Sequence, residues 1–532
     1  MKQDFSFNLV DESWIPCIRA DGSTAMLSIR DTFAQAHTLK EMSSESPPVT
    51  AAIHRFLLAI LHRVFGPADY DEWGRLWAAE KWDMGALNFY LDEWRHRFDL
   101  FDEERPFYQA TDERMKVKST ISLSHNRSSG NNPTLFDHHT EAGGEILTPA
   151  EAARVLITGQ AFALAGLSGI KQKFTDGTCA AGIIFLVVGD NLKETFLLNM
   201  IQYPPDNDQF GVHTGNDKPA WEMDDPFEPD RSYSFGYLDY LTWQNRRVLL
   251  QPEMLDDQVV VRNMTMGPAL RYESSLLDPM KHYRADDKLG HIAVSLNEDR
   301  VFWRDSASFF TFHEVTQGHP RPPATFGWLS LLVYEGMLDR RRVYRDRAIG
   351  ISKKQAKMFF YREEQLSMPL TYLTDQTLVG ALARSLEISE KVAFGLVLAA
   401  RRIGMYLQLS DADGKRWIEL NTITRNDINN WIAYTGMERS FWASLDIPFQ
   451  SFIVDLVEDQ VRAQADWIGQ LRRSARFAFD QAAEYAGFGP RSFKAVVRGQ
   501  SVLNYHLNEL LPRPETSGDE DGSTIGAEES YV

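Results

Sequence analysis

The sequence predicts an α+β protein in which a large mixed α/β N-terminal domain is followed by a C-terminal four-helix bundle. From residue 150 to about 335, short apolar β-like runs alternate with helical or irregular pieces. After about residue 370, apolar side chains recur at the spacing of amphipathic helices, with few strand signals between them. We therefore expect a mixed domain over 1–370, the bundle over 371–512 and a disordered acidic tail over 513–532.

The composition indicates a globular protein with a substantial core. Of the 532 residues 43% are hydrophobic and 24% are charged, and the formal net charge is −18. The acidic total argues against a protein that coats nucleic acid unaided. The only two cysteines, Cys17 and Cys179, exclude a disulfide framework and favour the cytoplasm. The N-terminus lacks a signal-peptide pattern, and the longest apolar runs are expected to be too short to span a bilayer.

The first elements are a hairpin and a buried helix. Val-, Ile- and Trp-rich pieces flank the turn signal ADGS at 20–23, which predicts a β-hairpin. The stretch PPVTAAIHRFLLAILHRVFG has prolines at its entry, Gly66 at its exit and helical apolar spacing between them, so it predicts a helix. A second helical pattern follows in ALNFYLDEWRHRF. Residues 111–149 are polar and weakly periodic, which predicts a long loop.

The later elements follow from the same patterns. The runs GIIFLVVG, VVVRNMTMG and HIAVSLNE predict strands in the mixed domain. The helices of the bundle are expected in the stretch from DQTLVG to MYLQL and around 426–438, 448–473 and 475–511.

The strongest chemical signal is the basic segment RRRVYRDRAIGISKKQAKMFFYR at 340–362, where nine Arg and Lys stand against one acid. One interpretation is a solvated face beside a partner's acidic patch. The other is a surface that contacts phosphates, each of which adds affinity through counterion release. In that case Gln355 could hydrogen-bond a base edge or occupy space between strands. The lysines that would hold the nucleic-acid backbone beside it are Lys353, Lys354 and Lys357.

A glycine-containing stretch is a second candidate. AGLSGIKQK places Gly166 and Gly169 before two lysines. Small residues let a backbone approach a ligand closely, for example a nucleic-acid groove. A plain turn is the alternative.

The run NNPTLFDHHT is a third candidate, because it sets two apolar residues beside an acid and two histidines. One hypothesis is a metal-dependent nuclease or phosphohydrolase centred on Asp137, His138 and His139. Adjacent histidines point to opposite sides of an extended strand, and the other histidines show no ligand spacing to this pair, so we expect no metal. Familiar catalytic motifs such as GxxxxGK[ST], GxSxG and HExxH are missing, which makes an enzyme less expected without excluding one. We expect no cofactor.

Five pieces in order resemble the family of the large subunit, CasA, of the type I-E CRISPR surveillance complex, Cascade. They are FNLVDESWIP, FDLFDEERPFYQ, NPTLFDHHT, DPMKHYR and GISKKQAKMFFYR. The resemblance spans about residues 5–510. It implies a non-catalytic subunit that binds foreign duplex DNA and reads the protospacer-adjacent motif (PAM) from the minor groove. It also implies help in opening the duplex for the guide RNA (crRNA) and in recruiting a separate helicase–nuclease.

The resemblance also implies roles for particular residues. Gly169 matches the glycine loop that approaches the minor groove, and Arg271 is the nearest match to a basic residue that reaches it. Gln355, with Lys354 beside it, matches the wedge that separates the strands below the PAM. The residues that match the loop docking the subunit near the 5′ end of the crRNA are Leu135, Phe136 and Asp137. An assembly scaffold whose basic segment contacts only crRNA or a neighbouring subunit remains an alternative.

Two departures from the family pattern bear on these roles. Some members carry a cysteine cluster in the middle region that could hold zinc, and this chain has no cysteine there. Lys354 stands where an asparagine can occur, so we expect PAM tolerance to differ between members.

Overall fold

The computed structural model describes residues 5–123, 146–203, 216–228, 230–273, 276–298, 300–312, 319–354, 357–409 and 412–511, without the side chains of residues 354, 357 and 359. The chain forms two compact units, Met1–Val379 and Gly380–Val532. The sequence pattern placed this division at about residue 370. The predicted acidic tail, 513–532, lies outside the described residues.

A small antiparallel sheet begins the first unit. Its strands are β1 (Ile15–Arg19), β2 (Thr24–Leu27) and β3 (Leu39–Met42), in the order β2-β1-β3. The predicted hairpin is confirmed, because β1 and β2 pair from Ile15 opposite Leu27 onward. Gly22 turns the chain between them at a φ of 84°, a left-handed conformation that glycine adopts without a steric penalty.

Helices cover much of the first unit. They are α1 (Ile29–Gln35), α2 (Pro47–Phe65), α3 (Tyr70–Ala78), α4 (Met84–Trp94), α5 (Pro149–Phe162), α6 (Leu192–Asn199), α7 (Tyr237–Leu241), α8 (Ser306–Phe309) and α9 (Ala324–Tyr334). The predicted helices α2 and α4 are confirmed, and Gly66 ends α2 as expected. Contrary to the expectation from the sequence, α2 is long and apolar enough to cross a membrane. However, 83% of its apolar window is buried inside the protein, as in a core helix.

Two further three-stranded antiparallel sheets and a hairpin complete this unit. Their strands are β4 (Val117–Ser119), β5 (Ile183–Val188), β6 (Arg246–Leu255), β7 (Gln258–Pro268), β8 (Tyr283–Asp286), β9 (Gly290–Ala293), β10 (Val343–Lys354) and β11 (Lys357–Pro369). The sheet orders are β11-β10-β5 and β4-β7-β6, and β8 pairs with β9. The predicted strands β5 and β7 are confirmed, and the third predicted run is a strand only over β9.

The prediction of a loop over 111–149 is wrong at β4. This strand pairs with β7 through Val117 opposite Thr265. Its three residues, Val-Lys-Ser, have no apolar alternation, and Val117 is exposed. The pairing therefore comes from the backbone edge that β7 offers rather than from a pattern in the sequence.

The second unit is helical, which confirms the predicted helical C-terminal region. Its helices are α10 (Gln376–Gln408), which begins at the end of the first unit, α11 (Thr422–Thr435), α12 (Met437–Glu458), α13 (Gln460–Glu484) and α14 (Pro490–Leu510). The four long helices carry a core in which Trp467 stacks on Phe452 (ring centroids 4.7 Å apart) and donates to the hydroxyl of Ser389 (3.1 Å). The predicted segment 448–473 is wrong, because the chain breaks at Asp459, whose side chain caps α13 by accepting from the Arg462 amide (3.0 Å).

Candidate nucleic-acid interface

The candidate interface is built around a closed loop, residues 165–175, that follows α5. Gly166 and Phe174 exchange both backbone hydrogen bonds, at 3.2 Å and 3.0 Å. Inside the loop the hydroxyl of Ser168 donates to the carbonyl of Gln172 and accepts from the amide of Ile170 (3.2 Å). The loop is thus shaped by its own hydrogen bonds before any ligand binds.

The tip of this loop presents backbone, one apolar side chain and positive charge to solvent. Gly169 is exposed and has a φ of 84°, a conformation that other residues rarely adopt. Apart from its two chain neighbours, no described residue has an atom within 4 Å of the place where a Cβ at Gly169 would stand. Leu167 is 86% exposed, and Lys171 and Lys173 are exposed as well. A groove of DNA could therefore approach the backbone at Gly169 without a steric obstacle from the described residues.

The base of the loop is held by the buried guanidinium of Arg246, the first residue of β6. Its Nη2 donates to the carbonyl of Leu164 (2.7 Å) and its Nη1 to the carbonyl of Thr175 (2.8 Å), so one side chain joins both ends of the loop. The guanidinium also stacks over the ring of Phe174, 4.4 Å from its centroid. Burial lowers the pKa of Arg246, and the charge of Asp176 opposes that shift. Arg246 therefore holds the two ends of the loop together through these two hydrogen bonds, which we call the Arg246 clamp.

The side chain of Gln172 links the loop to the segment that carries Arg271. Its Nε2 donates to the carbonyl of Ala269 (3.2 Å), two residues before Arg271. Arg271 is largely exposed and pairs with Glu273 at 2.6 Å. A phosphate or base that binds Arg271 must therefore compete with a carboxylate of the same chain.

The loop is also tied to the end of β10. The ammonium group of Lys353 donates to Oδ2 of Asp176, while Oδ1 of Asp176 accepts from the amide of Ala165 (2.8 Å). Three of the predicted DNA-binding residues, Gly169, Arg271 and Lys353, thus lie on three elements that hydrogen bonds join directly.

The predicted wedge belongs to a long β-hairpin. Strands β10 and β11 pair from Val343 opposite Pro369 to Lys354 opposite Lys357, with a register shift just after Ser352. Such a bulge increases the local twist of a hairpin. Gln355 lies outside the described residues, and so do the side chains of Lys354 and Lys357.

The basic segment 340–362 contains more internal ion pairs than its composition suggested. Of its nine cations, seven have described side chains, and five of those seven pair with acids of the same unit. The pairs are Arg342–Asp190 (2.5 Å), Arg345–Glu41 (2.7 Å), Arg347–Glu363 (2.6 Å), Arg362–Glu364 (3.2 Å) and Lys353–Asp176. Three of the acidic partners, Asp190, Glu41 and Asp176, lie outside the hairpin and join the segment to the rest of the first unit. The other two, Glu363 and Glu364, belong to β11.

The other described cations of the basic segment, Arg340 and Arg341, are exposed and lie before β10. The phosphate hypothesis therefore concerns these two arginines and the lysines near the end of the hairpin.

The predicted docking loop cannot be placed. Leu135, Phe136 and Asp137 lie outside the described residues, as do His138 and His139 of the metal hypothesis. Within the described parts of the chain, no group of three or more His, Cys, Asp or Glu side chains could hold a metal ion.

Two residues of the interface, Asp176 and Arg246, were missed in the sequence. Asp176 precedes Gly177 and has the composition of an ordinary turn, and Arg246 precedes another arginine in a strand. Their roles depend on partners about 70 or more residues away, with 71 positions separating Arg246 from Thr175 and 177 separating Lys353 from Asp176. A single sequence does not encode those distances in any local pattern.

Comparisons with known proteins agree on one family. The family model described as CRISPR-associated protein Cse1 matches residues 8–478. A CRISPR-associated protein CasA/Cse1 of Thermus thermophilus is 31% identical over 527 residues, which cover 95% of this chain and 98% of that protein. The crystal structure of Thermus thermophilus CasA is similar with a TM-score of 0.77 and 27% identity, covering 95% of this chain and 100% of the other.

Two more distant structures share the fold. Cse1 from Acidimicrobium ferrooxidans has a TM-score of 0.80 at 24% identity, over 96% of this chain and 100% of its own. A chain of a CRISPR RNA-guided surveillance complex has a TM-score of 0.73 at 20% identity, over 94% of this chain and 100% of its own.

Proposed function

This chain belongs to the CRISPR-associated protein Cse1 family, as the sequence pieces predicted, and from that premise we propose that it reads the PAM of foreign DNA within Cascade. In this proposal the chain is the large subunit of the type I-E surveillance complex. It binds double-stranded DNA, promotes duplex opening and R-loop formation, and supports recruitment of the helicase–nuclease. We propose no catalytic step for its own residues.

The loop 165–175 is suited to reading a minor groove. Its exposed tip offers a backbone at Gly169 that can approach base edges closely, and Lys171 and Lys173 can neutralise the flanking phosphates. Arg271, whose segment is linked to the loop through Gln172, supplies a further exposed cation. Because the minor groove carries a degenerate pattern of donors and acceptors, several PAMs should be tolerated.

The β10–β11 hairpin is suited to separating strands. It is long, and Arg345 of β10 pairs with Glu41 of β3, which joins the hairpin to another sheet of the N-terminal domain. Arg347 pairs with Glu363 of β11, so that pair joins the two strands of the hairpin to each other. In the proposal Gln355 occupies space between the strands below the PAM, and Lys353, Lys354 and Lys357 contact the backbone beside it. A rigid base lets the hairpin hold unstacked bases apart without bending away.

The remaining roles concern assembly. In the proposal Leu135, Phe136 and Asp137 dock the subunit near the 5′ end of the crRNA, and the other Cascade subunits complete the binding surface. A cytoplasmic location follows from that assembly. The net charge of −18 fits a subunit that meets DNA through local basic surfaces within a larger complex.

One observation carries the proposal: separate hydrogen bonds join the glycine loop to the Arg271 segment and to the end of β10. The test is duplex binding by Cascade reconstituted with and without this chain, on targets with a correct or a scrambled PAM. We expect PAM discrimination to disappear when the chain is omitted. Unchanged discrimination would leave a scaffold and refute the proposal.

A further inference from the structure

The carboxylate of Asp176 contacts two elements of the candidate interface at once. Oδ1 accepts from the backbone amide of Ala165 at 2.8 Å, at the beginning of the loop that carries Gly169. Oδ2 accepts from the ammonium group of Lys353, two residues before Gln355 in the sequence. A carboxylate has acceptor sites on both oxygens, so one side chain can hold both groups.

The surroundings favour Asp176 as the partner of Lys353. Lys281, which is buried, donates to the carbonyl of Thr178 (2.6 Å), and its pKa is lowered by burial first and also by the charges of Arg55 and Lys353. Among the described residues, the acceptor of the Lys353 ammonium group is the Asp176 carboxylate. Both members of the pair are partly exposed, with 28% and 37% of their side chains accessible, so a DNA phosphate can compete for the ammonium group.

We infer that Asp176 is a positioning residue. It couples the binding of the glycine loop, 165–175, to the PAM with the position of the end of β10, where the DNA strands would separate. The inference rests on the proposed function and adds a residue to it. Asp176 contacts no base in this mechanism. It transmits the position of the loop to Lys353, so the end of the hairpin meets the base pairs beside the PAM when the loop is seated.

The test is a double-mutant cycle in reconstituted Cascade, with Asp176→Asn, Lys353→Gln and the double variant. Asparagine keeps an oxygen for the Ala165 amide but removes the charge that holds Lys353. The rate of duplex opening is measured at saturating DNA for a correct and a scrambled PAM. We expect Asp176→Asn to slow opening at the correct PAM by about two- to fivefold, the range of a partly exposed ion pair. The double variant should open no more slowly than Lys353→Gln alone.

The chain offers a matched control in Asp190, which pairs with Arg342 beside the opposite end of β10. Asp190→Asn removes the same charge and an ion pair of the same hairpin, and it should leave opening unchanged. Thermal unfolding of each variant shows whether either change acts through stability.

Two results would overturn the inference. The first is a cycle in which the effects of the two single changes multiply in the double variant. The second is an Asp176→Asn complex that binds both duplexes more tightly and keeps the wild-type ratio of opening rates, because that result is only the loss of a negative charge near DNA. A wild-type complex that opens both duplexes equally would refute the proposed function itself and the inference with it, and the wild-type arm alone reveals it.

Discussion

Arg55 and Asp278 form a buried ion pair between α2 and the segment DPMKHYR. Nη1 of Arg55 donates to Oδ1 of Asp278 at 3.1 Å, and Nη2 lies 2.9 Å from Oδ2. The hydroxyl of Tyr240 donates to Oδ2 at 2.9 Å. Burial alone would raise the pKa of Asp278, but the charges of Arg55 and Lys281 outweigh it and hold that pKa below its usual value. The ion pair thus keeps the Asp278 carboxylate ionised inside the core of the first unit.

Replacing Asp278 with asparagine should destabilise the first unit strongly. The change keeps the shape of the side chain but leaves the Arg55 guanidinium buried without a counter-ion, which costs about 3–5 kcal/mol. Denaturant unfolding of the purified chain measures the loss. Asp190→Asn, which breaks an exposed pair with Arg342, should cost at most about 1 kcal/mol. Similar losses for the two variants would contradict the assignment of a buried pair.

A second buried carboxyl, Asp346 in β10, should make the free energy of unfolding fall as the pH rises. A carboxylate with an ion-pair partner has the opposite effect. It is 1% exposed, and neither carboxylate oxygen has a hydrogen-bond partner among the described residues. Burial raises its pKa to about 8, whereas an aspartate in an unfolded chain titrates near ~3.9. The folded protein therefore keeps a proton that the unfolded chain releases between those two pH values.

We expect the Asp346 contribution to the free energy of unfolding to fall as the pH rises from about 5 to about 8, by up to about 1.4 kcal/mol per pH unit. Asp346→Asn removes the titration, so the variant should gain stability over the wild type toward pH 8 and lose that advantage toward pH 5. Denaturant midpoints of both proteins at the two pH values give the comparison. A difference that does not change with pH would show that Asp346 is not protonated in the folded state.

The sequence predicted the elements with strong periodicity and misplaced those that depend on partners. The helix α2 and the strand β5 follow from their apolar patterns, because each is buried over most of its surface. The sequence did not predict strand β4, because this strand depends on pairing with β7 and has no apolar pattern of its own. The break at Asp459 was missed because apolar spacing continues across it, and only the side-chain cap on Arg462 reveals a new helix.

The residues of the candidate site also differ in whether a local signal or a distant partner determines their role. Gly169 and Lys353 could be chosen from local composition and family resemblance. Asp176 and Arg246 could not, because their roles consist of hydrogen bonds to residues distant in the sequence. The charge run of the basic segment likewise did not predict the ion pairs that its arginines form. The acid Glu41, for example, lies 304 positions before its partner Arg345.

Arg246→Lys should loosen the glycine loop while the chain stays folded. A lysine keeps the charge but cannot donate at once to Leu164 and Thr175 in the geometry of the guanidinium fork. We expect faster amide hydrogen exchange in 165–175 and a smaller ratio of binding to correct over scrambled PAM. Arg247→Lys is the matched control, because Arg247 stacks on Phe227 (4.2 Å to the ring centroid) and makes no such clamp. Equal exchange in the two variants would refute the clamp.

Gln355→Ala should affect strand opening more than initial binding. In the proposal the glutamine acts only after the duplex has bound, when its side chain fills space between separating strands. Binding depends mainly on phosphate contacts and the loop, which the change leaves in place. The opening rate and the dissociation constant are measured on the same duplex with reconstituted Cascade. Equal losses in both quantities would contradict the wedge assignment.

Gly169→Ala separates a structural role of this glycine from a role in DNA recognition. Gly169 has a φ of 84°, and Gly290, the exposed first residue of β9, has a φ of 77°. Apart from chain neighbours, no described residue has an atom within 4 Å of a Cβ built at either position, so alanine should cost each site a similar ~1 kcal/mol of backbone strain.

The two variants should nevertheless differ in the complex. In the proposal, a methyl group added at Gly169 lies between the loop backbone and the groove, so Gly169→Ala should lose most PAM discrimination, whereas Gly290→Ala should keep it. Binding of reconstituted Cascade to correct and scrambled PAM duplexes measures the difference, and thermal unfolding checks that the stability losses match. If Gly169→Ala kept the wild-type discrimination at a matched stability loss, the loop backbone would not approach the DNA, and the glycine would serve only the turn.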